Sequence, residues 1–352
     1  ARGYKVALCE QIGDETVNGL MPRDVVRVFT AGTVIEPGML EAGRNNYLVA
    51  VICDGDRAGL AYAEITTGEF ATAELESRRA LVEELARLAP AELLLADGEY
   101  SLGHLELPTS RLPDWRFELG NARKTLLTHF GVQSLAAFGC EDKPLAARAA
   151  GAALFYLQDT QMGAVAQIQR LATYSTERFM ALDAATRRNL ELTESLGGRK
   201  SASLLGVLDQ TVTPMGARLL RQRLTQPLLD VDDLQQRLDQ VQALYDNALL
   251  RAELRQQLKA LSDLERLANR AVTNRATPRD LENIAQTLNA IPTLQSLISN
   301  PQSLISNLRS LASTLDPCPE TNDLITRAIA AEAPANLNKM GVIRPGFSAE
   351  LD

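Results

Sequence analysis

Residues 47–75, YLVAVICDGDRAGLAYAEITTGEFATAEL, hold three apolar runs parted by two turn signals, DGD and TGE. Asp-Gly and glycine-flanked turns between such runs are hairpin chemistry, so the stretch reads as a three-stranded antiparallel meander. Toward the C-terminus, ESRRALVEELARLA (76–89) places Leu81, Leu85 and Leu88 on one helical face, and AELLLAD (91–97) is a short buried strand. NARKTLLTHFG (121–131) ends its helix at a glycine, and KPLAARAAGAALFYLQDTQ (143–161) is alanine-rich, which suits a helix packed closely on a sheet. The order of three strands, helix, strand and helices predicts a ribonuclease H-like α/β domain over residues 45–160.

Upstream, YKVALCEQI (4–12) reads as a strand with too short a lead-in to complete a domain, and EAGRNN (41–46) reads as a linker. From residue 205 onward the pattern is helical. Thr213-Pro214 and Thr277-Pro278 each set a capping hydroxyl before a proline at the first helical position, and Asp280 completes a capping box with Thr277. Leu234, Leu238, Val241 and Tyr245 form one stripe and Leu254, Leu258, Leu261 and Leu264 another, predicting helices packed side by side. SLISN at 296–300 recurs at 303–307 across Pro301, a local duplication. CPETNDLITRAIAAEAP (318–334) predicts one more helix and NLNKMGVIRPGFSAELD (336–352) a loop, so the expectation is a segment cut at both ends.

The 352 residues suit two or three domains. No run approaches the roughly 20 apolar residues of a membrane span, and ARGYKVALCEQ lacks the apolar centre of a signal peptide, so the expectation is a soluble, cytoplasmic protein without membrane contact. Cys9, Cys53, Cys140 and Cys318 lie far apart, pointing to a reducing compartment and to no zinc site; His104 and His129 stand in unrelated contexts. A net charge of -8 argues against wrapping nucleic acid with the whole surface. Residues 64–106 are strongly acidic and residues 187–279 carry a modest, arginine-rich basic excess, read as solvated helix faces with interspersed signs.

Two motifs invite chemistry. ESLGGRKSAS (194–203) follows the alternating run RRNLELT and precedes LLGVLD, where a phosphate loop would sit. Its Lys200-Ser201 would need glycines at 199 and 194, and those positions hold Arg199 and Glu194. The reading is a structural turn in which Gly197 and Gly198 supply unusual dihedrals and Ser201 caps the next helix. The alternative function is a metal-dependent nuclease, with Asp54 and Asp97 at the ends of strands and Glu83 and Glu84 on the helix between. Asp54-Gly55 and Asp97-Gly98 are also turn signals, which favours turns. Trp115, in LPDWRF, and the tyrosines are not interleaved with basic residues as a single-strand platform requires.

RNLELTESLGGRKSASLLGVLDQTVTPMGARLLRQRLTQPLLDVDDLQQRLDQV (188–241) resembles the core of the bacterial MutS mismatch-repair family. YKVALCEQIGD with VVRVFTAGTVIE resembles the end of that family's mismatch-recognition domain, and NNYLVAV through AAGAALFYLQDTQ its connector. DLERLANRAVTNRATPRDL and GVIRPGFSAELD continue the likeness over nearly the whole chain. Arg223 departs from the tryptophan usual at its position, where a solvent-facing arginine with a buried stem can serve.

The resemblance implies a multidomain chain: a recognition-domain remnant (1–30), a linker (31–44), the connector (45–160), a linker helix (161–177) and an all-α core and lever domain (178–352) stopping before the clamp. It implies a family that binds mismatched double-stranded DNA, uses ATP and Mg, works with a MutL-type partner through the connector and forms homodimers. The Phe-x-Glu reading motif is expected upstream of Ala1, and the clamp and true phosphate loop beyond Asp352. The chain itself is expected to have no catalytic, nucleotide, DNA or metal site, and to act as scaffold and allosteric relay.

Overall fold

The computed structural model describes residues 5–11, 23–98, 107–161, 165–299, 306–334, 341–348 and 350. They divide into two compact units, 1–206 with 224–226, and 207–223 with 227–352. His104 and part of the SLISN repeat lie outside the described residues.

In the first unit, β1 (Val6–Gln11) and β2 (Arg23–Phe29) pair antiparallel as a two-stranded sheet. A six-stranded sheet follows, built from β3 (Leu48–Asp54), β4 (Arg57–Glu64), β5 (Glu69–Leu75), β6 (Glu92–Ala96), β7 (Thr109–Leu112) and β8 (Ala172–Thr173), in the order β7-β6-β3-β4-β5-β8. β3, β4 and β5 are antiparallel; β6 and β7 continue parallel to β3, and β8 runs parallel to β5. The two-residue loop after β3 turns on Gly55 at φ +61°, a conformation glycine adopts without a Cβ penalty.

Along β3, the alternation of a strand sorts side chains to opposite faces. Val49 and Val51 join Leu60 and Leu75 beneath helix α1 (Arg78–Leu88), which contributes Leu81, Leu85 and Leu88. Leu48, Ala50 and Ile52 pack under α2 (Leu119–Phe130) and α3 (Pro144–Thr160) with Leu126, Leu154 and Leu157. Each fully buried leucine contributes roughly 1.5–3 kcal/mol. Ser77 starts α1 by accepting the Ala80 N–H at 3.1 Å. Gly131, in the left-handed region, ends α2. Glu74 accepts the Leu145 N–H at the start of α3 (2.9 Å) while paired with Arg57.

Small residues let α3 approach closely. A Cβ on Gly59 of β4 would lie 2.0 Å from the Leu145 carbonyl oxygen, and one on Gly151 would lie 2.4 Å from Ala122 of α2. The one tryptophan, Trp115, lies in a short 3-10 turn with its ring 6.2 Å from Phe155 of α3.

Several expectations are corrected. Residues 161–177 do not form a linker helix: the described part carries β8 and a 3-10 turn at Thr176–Arg178. Val165, Ile168 and Leu171 drop into the sheet's core, and the Tyr174 N–H bonds to the Thr72 carbonyl instead of continuing a helix. The alternating run RRNLELT begins inside a helix. Asp183 caps α4 (Ala184–Asn189), accepting the Thr186 N–H at 2.6 Å, and Glu191 then turns the chain at φ +48°. By contact, residues 178–206 group with the first unit. α5 (Leu204–Leu208) spans the boundary between the units.

The second unit comprises α6 (Pro214–Thr225), α7 (Val231–Asp246), α8 (Ala248–Leu258), α9 (Leu264–Val272), α10 (Pro278–Ser299), α11 (Ser306–Ser313) and α12 (Pro319–Ala328). Leu267, Ile284, Leu288 and Ile291 form its buried cluster. The α7 stripe is not covered by a neighbouring helix: Leu238, Val241 and Tyr245 are 61%, 65% and 73% exposed. Apolar spacing identified the helix and its face but not a covering partner.

Gly151→Ala is expected to destabilise the chain by about 1–3 kcal/mol, because overpacking at the α2–α3 crossing outweighs the roughly 1 kcal/mol of helix propensity gained. Urea denaturation measures it, and an unchanged or raised midpoint would contradict the close approach.

Candidate functional site

The glycine loop closes on itself. The Leu196 N–H donates to the Glu191 carboxylate at 2.5 Å, the Gly198 N–H to the Ser195 carbonyl at 2.8 Å, and the Arg199 N–H to Ser195 Oγ at 3.0 Å. Lys200 Nζ is held by both Glu41 carboxylate oxygens at 3.0 and 2.9 Å. A phosphate cradle needs outward amides and a lysine directed to the ligand, so this loop does not fit ATP.

Gly198 stands at φ +76°, whereas Gly197 is outside the left-handed region. Ser201 does not cap α5; it lies inside a 3-10 turn, Lys200–Ala202. Buried Ser203 does so, its Oγ accepting the Gly206 N–H at 3.1 Å, because a cap must stand three residues before the amide it serves. Thr213 Oγ1 accepts the Gly216 N–H at 3.1 Å, and Pro214 is the first residue of α6.

Asp54 and Asp97 end or follow the neighbouring parallel strands β3 and β6. No group of three or more His, Cys, Asp or Glu able to hold a metal occurs among the described residues. Glu83 pairs with Arg79 at 2.8 Å and Glu84 with Arg87 at 2.6 Å, so neither helix carboxylate is directed to a metal. Nothing here supports the nuclease reading. His129 Nε2 lies 2.7 Å from the Ile168 carbonyl, a structural bond. The four cysteines are free thiols.

Two polar nodes in the first unit went unrecognised in the sequence. Glu92, 2% exposed, opens β6. Its Oε2 accepts from Thr30 Oγ1 and from the Gly32 N–H (2.9 Å), and its Oε1 from Ser110 Oγ (2.5 Å) and Tyr156 OH (2.7 Å). Burial, then the Glu92 charge, pushes the Tyr156 phenol well above its ordinary range, so it stays a donor. The segment after β2 is thereby clasped to the main sheet. A lone acid opening the apolar run AELLLAD was the available signal, but its partners are remote in sequence.

The second node lies on α1. Arg87 holds Glu84 through two bonds of 2.8 and 2.6 Å, and Tyr174 OH donates to Glu84 Oε1 at 2.6 Å. Burial alone would lower the Arg87 pKa, and the bonds and charge of Glu84 more than reverse it, keeping the guanidinium charged. Burial pushes the Tyr174 phenol strongly upward.

In the helical unit, Arg218 of α6 is buried and grips Asp263 with both guanidinium nitrogens at 2.7 Å and Glu265 at 2.6 Å. Asp263 in turn caps α9, and Arg270 pairs with Asp280 at 2.6 Å. Asp280 closes the box with Thr277, whose N–H and hydroxyl both donate to its carboxylate (2.7 and 2.8 Å). Arg223 is exposed.

Three family models match the chain in order: MutS domain I over residues 1–37, MutS domain II over 46–169 and MutS domain III over 185–350. The second falls on β3 to β7 of the six-stranded sheet and its helices, and most of the third on the helical unit. Relatives named DNA mismatch repair protein MutS match over all of this chain. That of Dehalococcoides mccartyi is 42% identical over 359 residues, and those of Symbiobacterium thermophilum and Thermosynechococcus vestitus are 42% and 39% identical. The chain spans 41–42% of the length of these three relatives.

Arg218→Met is expected to cost roughly 3 kcal/mol, since it takes from the largely buried Asp263 its two-bond cation, leaving only the longer contact to Arg266 at 3.9 Å. Thermal unfolding followed by helicity checks it, and an unshifted transition would show that the pair does not hold α6 to α9.

Proposed function

We propose, because the chain belongs to the MutS family of DNA mismatch repair proteins, that it acts as scaffold and allosteric relay between sites carried elsewhere in the longer protein. The observation that carries this reading is the run of three domain matches, MutS domains I, II and III, in order along one chain. Both units are built around polar nodes that join distant segments, which is what a relay requires.

In this reading the six-stranded sheet is a ribonuclease H-like connector. The order β5-β4-β3-β6-β7, with three antiparallel strands followed by parallel ones, supports it. The helical unit is the core and lever, supported by the domain III match. The longer protein would bind mismatched double-stranded DNA, hydrolyse ATP with Mg in a separate domain, pair as a homodimer and meet a MutL-type partner through the connector. The chain itself is non-catalytic. Free cysteines support residence in the reducing cytoplasm; no helix among the described residues is long and apolar enough to cross a membrane.

Two measurements test the reading. Titration calorimetry of the chain with ATP and Mg should show no binding, and micromolar affinity would overturn it. Duplex DNA should bind weakly, lose affinity steeply with salt, and show no preference for a G·T mismatch. A mismatch preference persisting at about 150 mM salt, read by fluorescence anisotropy, would place recognition residues in this chain.

A further inference from the structure

We propose that α1 and β6, residues 78–96, form a coupling bar that makes the docking of the segment entering the main sheet and of the segment leaving it one cooperative event. This deepens the relay reading and rests on it. The bar carries both polar nodes. Glu92 at the start of β6 holds Thr30 and Gly32, 62 and 60 residues earlier. Glu84 of α1 holds Tyr174, 90 residues later. The entering segment is thus fixed beside Tyr156 of α3, and the leaving segment beneath α1, with the sheet between them.

The link between the nodes has no slack. Only Ala89, Pro90 and Ala91 separate α1 from β6. Ala89 is a left-handed, non-glycine residue at φ +44°, held by its N–H on the Leu85 carbonyl at 2.9 Å, and the Ala91 N–H bonds to the Tyr47 carbonyl at 2.9 Å. Pro90 has a fixed φ. A helix and strand joined this way move together.

The Glu92 node is also all-or-none. Among the described residues Glu92 is bonded by hydroxyls and one amide, with no cation among them. Withdrawing the Thr30–Gly32 segment leaves Oε2 without those two donors, which disfavours partial undocking. The fit is close: a Cβ on Gly32 would lie 2.8 Å from Leu48 Cδ1 and 2.9 Å from Glu92 Cβ. At the other node, losing the Tyr174 hydroxyl removes a donor from Glu84, which Arg87 already engages. Freed at either end, the bar shifts and loosens the other end, a reciprocity that equilibrium coupling demands.

Amide hydrogen exchange on the 352-residue chain decides it. Tyr174→Phe should speed exchange at the Gly32 amide, and Gly32→Ala should speed exchange at the Tyr174 amide, each at least about five-fold. Exchange in the central strand β4 should stay unchanged. Glu84→Gln, which preserves side-chain size, should reproduce the Tyr174→Phe result, and Thr125→Ala on the exposed face of α2 should change neither amide. A response confined to the altered end, or one matched by an equal rise in β4, overturns the proposal. So does Tyr174→Phe without effect at either end. Coupling of DNA release to ATP in the longer protein is a separate measurement: its insensitivity to these variants, with reciprocal exchange intact, would sink the relay reading and leave the bar standing.

Discussion

Strand β3 is walled on both faces, and that double burial dictates what surrounds it. An alternating apolar strand with no solvent side needs a helix layer above and another below. α1 supplies the first and the α2–α3 pair the second. Once both faces are dry, every carboxylate inside must find donors within the protein, because an unsatisfied buried charge costs more than a single domain can spare. Glu92 and Glu84 meet that demand by reaching to segments far away in sequence, so the same constraint that builds the core also ties the entering and leaving chain to it.

The two units satisfy buried charge in different ways. In the first, the described partners of Glu92 are three hydroxyls and one amide, dipoles whose geometry must be kept. In the second, Arg218 is ringed by two carboxylates, a pairing whose planar fork fixes the approach of α6 to α9. Both arrangements favour one arrangement of their elements over a continuum of near-equivalents. Under the proposed relay role this has a purpose: a chain carrying information between distant sites would need parts that shift as bodies and not as putty.

Much of the fold was legible because local chemistry and burial agreed. The meander's turns, the Leu81-Leu85-Leu88 face and the alanine-rich α3 each carried their own signal. β7 and β8 did not. Four residues with two buried, and two residues with none, are strands only because a neighbour offers free ladder groups. Ser201 and Ser203 stand two positions apart in a serine-rich run, and only the helix's own start, at Leu204, decides which of them caps it. The polar nodes were the least legible part. Tyr156, Tyr174, Thr30 and Glu92 are unremarkable singly, and their meaning lies in pairings across 46 to 90 residues of chain that no window of sequence contains.

Trp115 gives the molecule an uneven voice. It is the single indole in 352 residues and packs near Phe155 within the first unit. The chain's intrinsic ultraviolet emission above the tyrosine band therefore speaks for the connector-like sheet and its helices alone, while the helical unit is dark at those wavelengths and bright in far-ultraviolet dichroism. The dichroism sums the helices of both units, α1, α2 and α3 as well as α6 to α12, so a dichroism melting profile that departs from the emission profile reports the helical unit coming apart independently of the sheet.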